Sequence, residues 1–148
     1  MTGGIGVRIK RLREGARIPA YGSEFAAGAD LSACLDADVT LRPGASAFIP
    51  TGISMEIPAG YAGLVYARSG LSCKSGLAPA NKVGVIDSDY RGEVMVCLHN
   101  HSAETRAVSD GDRIAQIVFA QVPRAVFTEA DDLQATARAA GGFGSTGK

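Results

Sequence analysis

No run of apolar residues in this chain approaches the roughly 18 that a membrane-spanning helix needs. Positions 1–10 also lack the apolar core of a secretory leader, so a cytoplasmic protein is expected. Neither sign of charge dominates, because 15 Lys and Arg stand against 15 Asp and Glu. Without a net field there is no general pull toward nucleic acid or a membrane surface. Cysteine is scarce: Cys34, Cys73 and Cys97 are an odd number, at spacings that match no paired metal-ligand motif. Reduced thiols packed as small hydrophobes are expected, not a disulfide framework or a zinc site. Uninterrupted helix-length segments are missing too, since 19 glycines and 6 prolines are spread along most of the chain.

What is present is enough for one domain with its own core: 148 residues, 46% hydrophobic and 20% charged. Several short segments alternate apolar and polar residues with the period of a strand. Ile5, Val7 and Ile9 alternate with Gly6, Arg8 and Lys10, and Ile53, Met55 and Ile57 with Ser54 and Glu56. Pro58-Ala59-Gly60 reads as a tight turn into a strand over 61–66, and 93–98 and 113–120 are further strands. Many short strands predict an all-β sandwich, jelly roll or barrel over residues 1–130. One short helix is expected over 68–74, capped by Ser69. Arg8, Lys10, Arg11, Arg13 and Arg17 face a lone Glu14 and read as a solvated strand edge.

Residues 131–148 differ in texture and are expected to form a flexible C-terminal arm. Residues 133–140 can make a turn or two of helix, but 141–148 cannot pack a core. Gly142, Gly144 and Gly147 satisfy G-x-G-x-x-G, yet no strand precedes them and no helix follows. The same stretch matches the first seven positions of a P-loop but lacks the Ser/Thr and the helix. What survives is composition: Arg138, Phe143, Ser145 and Thr146 among glycines can wrap phosphates with one guanidinium, hydroxyls and backbone N–H groups.

The most informative interior segment is residues 84–94, a polar, glycine-closed centre between apolar strands, read as a β-hairpin with a wide turn. Asp87 lies at the edge of the apolar run 83–86, where a carboxylate is easily desolvated and made basic. Tyr90 at the tip offers a flat face for stacking. Three further segments set polar groups among apolar ones: Ala27-Gly28-Ala29-Asp30-Leu31, Arg68-Ser69-Gly70-Leu71 and Gly111-Asp112-Arg113-Ile114-Ala115-Gln116. Taken singly each reads as structural, with Asp112 paired to Arg113 or a neighbour.

Taken in order, and joined by Arg138 with 142–147, these segments resemble the five motifs of the trimeric dUTPases (deoxyuridine triphosphate nucleotidohydrolases), from about Ala27 to Gly147. Two departures stand out. Ala139 occupies a place where the family usually has glycine, and alanine disfavours positive φ; Ala67 stands where proline is frequent before the arginine.

The resemblance implies a jelly-roll-like β-barrel assembled as a homotrimer, with each active site built from three chains. It implies hydrolysis of dUTP to dUMP and pyrophosphate, with Mg2+ bound mainly to the triphosphate. Asp87 resembles the general base that activates water for attack on the α-phosphorus. Tyr90 is similar to the residue under the deoxyribose that leaves no room for a 2′-hydroxyl. Uracil would be read by main-chain groups of the hairpin around Val85, Ile86 and Met95, helped by Asn81. Arg68, Ser69, Gly70 and Gln116 would hold phosphates. Arg138, Gly144, Ser145 and Thr146 would close on the γ-phosphate, with Phe143 stacked over the base. Asp30 resembles the carboxylate that reaches the metal through water or braces an arginine.

Two other functions fit parts of this pattern. A dCTP deaminase shares the β-fold, and a trimeric β-module binding a partner protein could use nucleotide only as a switch. His99 and His101 flank Asn100 after a strand, where alternation puts both on one face, and read as surface or interface residues.

Overall fold

The computed structural model describes residues 4–142, and within them the chain forms short strands and one short helix. In chain order these are β1 (Arg8–Arg11), β2 (Ala20–Tyr21), β3 (Ala29–Ser32), β4 (Val39–Leu41), β5 (Ser46–Pro50), β6 (Ile53–Glu56) and β7 (Tyr61–Tyr66). The helix α1 (Ser69–Ser75) follows, and then β8 (Leu77–Pro79), β9 (Val83–Ile86), β10 (Met95–Asn100), β11 (Arg106–Val108) and β12 (Arg113–Gln121). The arm positions Phe143, Gly144, Ser145 and Thr146 lie outside the described residues. Among the described residues the fold is all-β with one short helix. Strands pair in the orders β2-β3-β12-β7-β9, β5-β10-β8, β1-β6 and β11-β4, all antiparallel. Among the described residues no helix is long and apolar enough to cross a membrane.

The core follows from strand alternation. Leu31, Leu41, Ile49, Ile53, Leu98, Ile114 and Ile117 are each at most 1% exposed, and burying one such side chain contributes about 1.5–3 kcal/mol. Asn100 is fully buried and fully bonded. Its amide donates to Leu41 O at 2.9 Å and Glu104 O at 2.7 Å, and its Oδ1 accepts from Ser102 N at 2.9 Å. Asp110 ties the loop before β12 to the strand side. It accepts from Leu35 N at 3.0 Å and from Arg17, and these bonds hold its carboxyl below the usual carboxylate range.

Four expectations are corrected. Ser69 is the first helical residue and not the cap. Arg68, held through its guanidinium by Asp30, takes the extended backbone of the N-cap with no side-chain cap bond, and Gly76 ends the helix at φ 71°. Residues 84–94 do not form a two-stranded hairpin: β9 pairs with β7, whereas β10 pairs with β5 and β8. Cys73 is exposed because α1 buries none of its residues, while Cys34 is buried and Cys97 half-buried. Residues 133–140 make only isolated turns, with Ala139 N–H donating to Thr136 O at 3.1 Å and Gly141 N–H to Arg138 O at 2.9 Å. Val126, Phe127 and Leu133 are 89–95% exposed there. A short segment that buries no apolar face does not sustain a helix.

Candidate active site

Antiparallel register gathers residues that are far apart in sequence. On β12, Gln116 pairs with Asp30 of β3 on one side and with Tyr66 of β7 on the other. Two residues beyond Tyr66 the chain turns into α1, so Asp30, Arg68 and Gln116 meet at one end of the five-stranded sheet. Arg68 Nε donates to Asp30 Oδ1 at 2.7 Å, and Arg113 NH1 to Asp30 Oδ2 at 3.1 Å. Arg68 NH1 also reaches Arg113 O at 3.4 Å. The Arg68 and Asp30 side chains are 25% and 18% exposed, so their pairing is screened less than a surface ion pair. One carboxylate against two guanidinium groups leaves one positive charge facing out, an arrangement suited to an anion.

Gln116 fixes the corner. Its Nε2 donates to Ala67 O at 2.9 Å, holding the residue that precedes Arg68. A Cβ on Gly28 would lie 2.5 Å from Gln116 Oε1, so only glycine there lets the glutamine lie flat. Ser69 and Gly70 are exposed beside this cluster, and all these groups line a cavity of about 220 Å³.

The second concentration of site residues lies between the diverging ends of β9 and β10. A cavity of about 260 Å³ is lined by Asn81, Val85, Ile86, Asp87, Tyr90 and Met95, with Phe48 and Cys97 on its wall. β9 is the edge of its sheet, and β8 covers β10 only from Leu98 onward. The cavity is therefore flanked by strand edges whose outward N–H and C=O groups are free to pair with a ligand. Val85, Met95 and Phe48 are 64%, 49% and 68% exposed, an apolar wall unusual for a surface. Asp87 is exposed in this chain, so the desolvation expected from its apolar neighbours does not arise within a single copy.

The tip is built around glycine and glutamate. Tyr90 Oη donates to Glu93 O at 3.0 Å, and its ring lies over Gly92, where a Cβ would approach Tyr90 Cζ to 2.6 Å. The base of the tip is clamped to the β5–β6 turn. Gly52 N–H donates to Glu93 Oε1 at 2.8 Å, Thr51 Oγ1 to Val94 O at 2.5 Å, and Val94 N–H to Ile53 O at 2.8 Å. Arg91 donates to Ser88 O at 2.7 Å instead of pairing with Glu93.

Of the residues expected in the site, Asn81, Val85, Ile86, Asp87, Tyr90 and Met95 come together around one cavity, and Asp30, Arg68, Ser69, Gly70 and Gln116 around another. The two linings share no residue. Arg138 joins neither, since its Nε donates to Gly141 O at 2.8 Å. Sequence reasoning passed over Arg113, Glu93 and Gly92 as site-shaping residues. Arg113 had a signal, an Asp-Arg pair at the opening of a strand; the clamp by Glu93 depends on a turn 41 residues away and had none. Among the described residues no group of three His, Cys, Asp or Glu side chains is arranged to hold a metal ion.

Residues 14–147 match the family model for dUTPase. The chain is 49% identical over 143 residues to the deoxyuridine 5'-triphosphate nucleotidohydrolase of Syntrophotalea carbinolica, with 97% of each chain covered. It is 54% identical over 136 residues to that of Rhizobium meliloti, covering 90% of this chain and 85% of the other. Its fold is similar to the dUTPase of Staphylococcus bacteriophage 80alpha with dUPNHPP, at a TM-score of 0.88 and 26% identity, over 97% of this chain and 99% of that one. The motifs, the two cavities that they line and these likenesses agree: the chain belongs to the dUTPase family.

Proposed function

We propose that this chain is a dUTP diphosphatase: it hydrolyses dUTP to dUMP and pyrophosphate, at sites completed between copies of a homotrimer in the cytoplasm. The reaction keeps uracil out of DNA and supplies dUMP for thymidylate synthesis. The observation that carries the shared site is the separation of the two cavities, which share no lining residue. Attack on the α-phosphorus needs the water-activating carboxylate and the phosphate-holding cations around one substrate. A single chain places them in two cavities with no common lining residue, and a second chain's Arg68 cluster facing the first chain's Asp87 makes the site whole.

The chemistry follows from the groups. Asp87 holds one water in line and takes its proton. Arg68 and Arg113, aimed by Asp30, supply positive charge to the phosphate oxygens, which carry the negative charge of the five-coordinate transition state. The free edges of β9 and β10 present N–H and C=O groups to the imide edge of uracil, while cytosine offers a mismatched pattern. Asn81 adds a side-chain contact. Tyr90, propped on Gly92, fills the space that a 2′-hydroxyl would need. Both oxygens of Asp30 are engaged by arginines, which supports a bracing role for this carboxylate over metal binding. The donor set suits a Mg2+ carried in on the triphosphate, as part of the substrate, since Mg2+ favours phosphate oxygens and waters.

Residues 131–148 act as the closing arm, with Arg138, Gly144, Ser145 and Thr146 on the γ-phosphate and Phe143 over the base. Ala139 has φ 44° in this arm, the left-handed region expected to resist alanine. Glycine at this position removes a penalty of about 1–2 kcal/mol and returns about 0.4–1 kcal/mol in chain entropy. Because this strain is present in the chain without nucleotide, Ala139→Gly is expected to leave KM for dUTP within about twofold of the parent with Tm unchanged, as steady-state kinetics and thermal unfolding would show.

Gly92→Ala is expected to push the Tyr90 ring aside. dUTP turnover should fall on the order of 10- to 100-fold, because small misplacements near the reacting groups are costly. The preference for dUTP over UTP should shrink, as steady-state kinetics on both nucleotides would show.

Pyrophosphate release with Mg2+ from dUTP, UTP, dTTP and dCTP in parallel tests the reaction itself. Release from dUTP alone is expected. Ammonia from dCTP would make the chain a deaminase, and silence on all four would leave nucleotide binding without turnover.

A further inference from the structure

We propose that Glu93 is a positioning residue that sets the preference for dUTP over UTP, acting through the ring of Tyr90. This role rests on the dUTP reaction proposed above and on Tyr90 as the wall that a 2′-hydroxyl meets. Glu93 lines the cavity between β9 and β10 beside Tyr90, and its carboxylate is anchored in the core. Oε1 accepts from the buried Gly52 N–H at 2.8 Å, 41 positions away in sequence. A Cβ on Gly52 would lie 2.8 Å from Ala16 Cβ and 2.9 Å from Cys34 Sγ, both buried, so this turn has no room to retreat inward. The Gly52 carbonyl is taken by Leu12 N–H at 2.7 Å. A carboxylate on a backbone N–H is among the stronger hydrogen bonds, which makes the anchor firm.

The main chain of the same residue carries the ring. Glu93 O accepts from Tyr90 Oη at 3.0 Å, and the peptide that offers this carbonyl donates its other end, Val94 N–H, to Ile53 O at 2.8 Å. One peptide thus joins the ring to the β5–β6 turn, and the Glu93 side chain grips that turn one residue earlier. Tyr90 is 44% exposed, so packing alone does not hold it. A pocket wall rejects one added hydroxyl only weakly, and a large preference needs a wall that does not yield. Removing the carboxylate leaves the Gly52 N–H buried without its partner, next to the residue whose carbonyl holds the linking peptide. The turn then relaxes, and the acceptor of the Tyr90 hydroxyl moves with it.

Steady-state kinetics on dUTP and UTP with Mg2+ test this through the ratio of their kcat/KM values. Loss of folded enzyme lowers both values alike and leaves that ratio unmoved. Glu93→Ala should lower the dUTP-to-UTP ratio about 10-fold, the low end of what one misfitted group in a pocket is worth. Glu93→Gln should restore most of it, because an amide oxygen can still accept from Gly52. Tyr90→Phe keeps the ring, removes its bond to Glu93 and should lower the ratio similarly. Adding Glu93→Ala to Tyr90→Phe should change the ratio by no more than about twofold, since both break one linkage. If Glu93→Ala does not fold, Tyr90→Phe and Glu93→Gln still decide, the first by losing the preference and the second by keeping it. A ratio unchanged in Glu93→Ala or in Tyr90→Phe, or full additivity of the two, would overturn the proposal. A parent chain that turns over UTP as well as dUTP would overturn the reading of Tyr90 first, and this role with it.

Discussion

Asp87→Asn is expected to lower kcat for dUTP by about 10²- to 10⁴-fold, the range over which a positioned general base acts, with little change in dUTP affinity. The substitution keeps shape and removes only the negative charge and the ability to take a proton. Asp87 sits at the turn that follows β9, where Tyr90 N–H donates to Asp87 O at 3.2 Å, and its side chain is exposed. The fold should therefore tolerate asparagine, and circular dichroism together with binding of a non-hydrolysable dUTP analogue would verify this. Turnover within threefold of the parent would remove Asp87 from its role and point to another group as the acceptor of the water proton.

Arg68→Ala should have the second large effect, a fall in kcat/KM for dUTP of about 10²- to 10³-fold, as when one preorganised donor to a developing charge is removed. Its guanidinium does two things at once: it braces the corner, with Nε on Asp30 at 2.7 Å and NH1 on Arg113 O at 3.4 Å, and it lines the cavity. The variant leaves Asp30 paired with Arg113 alone, so the outward positive charge of the cluster disappears. Arg68→Lys should rescue little, because one ammonium cannot bond the carboxylate and a phosphate in the same fork geometry. The cost in stability is expected near 1 kcal/mol, since the pair is only partly shielded from solvent. Thermal unfolding of both variants would separate the loss of activity from loss of fold.

Much of this was legible in the residues, and the failures have physical causes. Alternation of Ile53, Met55 and Ile57 located β6, and all three are buried; 113–120 was legible as a strand, although the buried Ile114 and Ile117 of β12 stand three apart beside a bulge and follow no period of two. The motif residues named Asp87 and the Arg68 corner, but not how they are held. Residues 84–94 looked like a hairpin because both flanks are apolar and a glycine closes the turn. Pairing is decided by non-local partners, however, and β7 and β5 compete successfully for the two flanks. The divergence matters, since a paired hairpin would have no cavity between its strands. Ser69 looked like a helix cap by residue type, but the Asp30 contact draws the cap conformation onto Arg68. Cys73 looked buried by its composition class and is exposed because its helix has no buried face. The separation of the two cavities was implied only by the family resemblance, with its site built from three chains, because it is a property of the folded chain and not of any one segment.

That separation can be tested by combining the two inactive variants. Asp87→Asn and Arg68→Ala chains, unfolded together in equal amounts and refolded, should regain turnover that neither has alone. With random assembly, half of the Asp87 positions and half of the neighbouring Arg68 positions are intact, so about a quarter of the sites are whole in a shared-site trimer. Recovery to about that fraction of the parent's rate is the predicted result. Turnover no higher than the average of the two separately refolded variants would contradict it, and would place Asp87 and Arg68 of one site in the same chain.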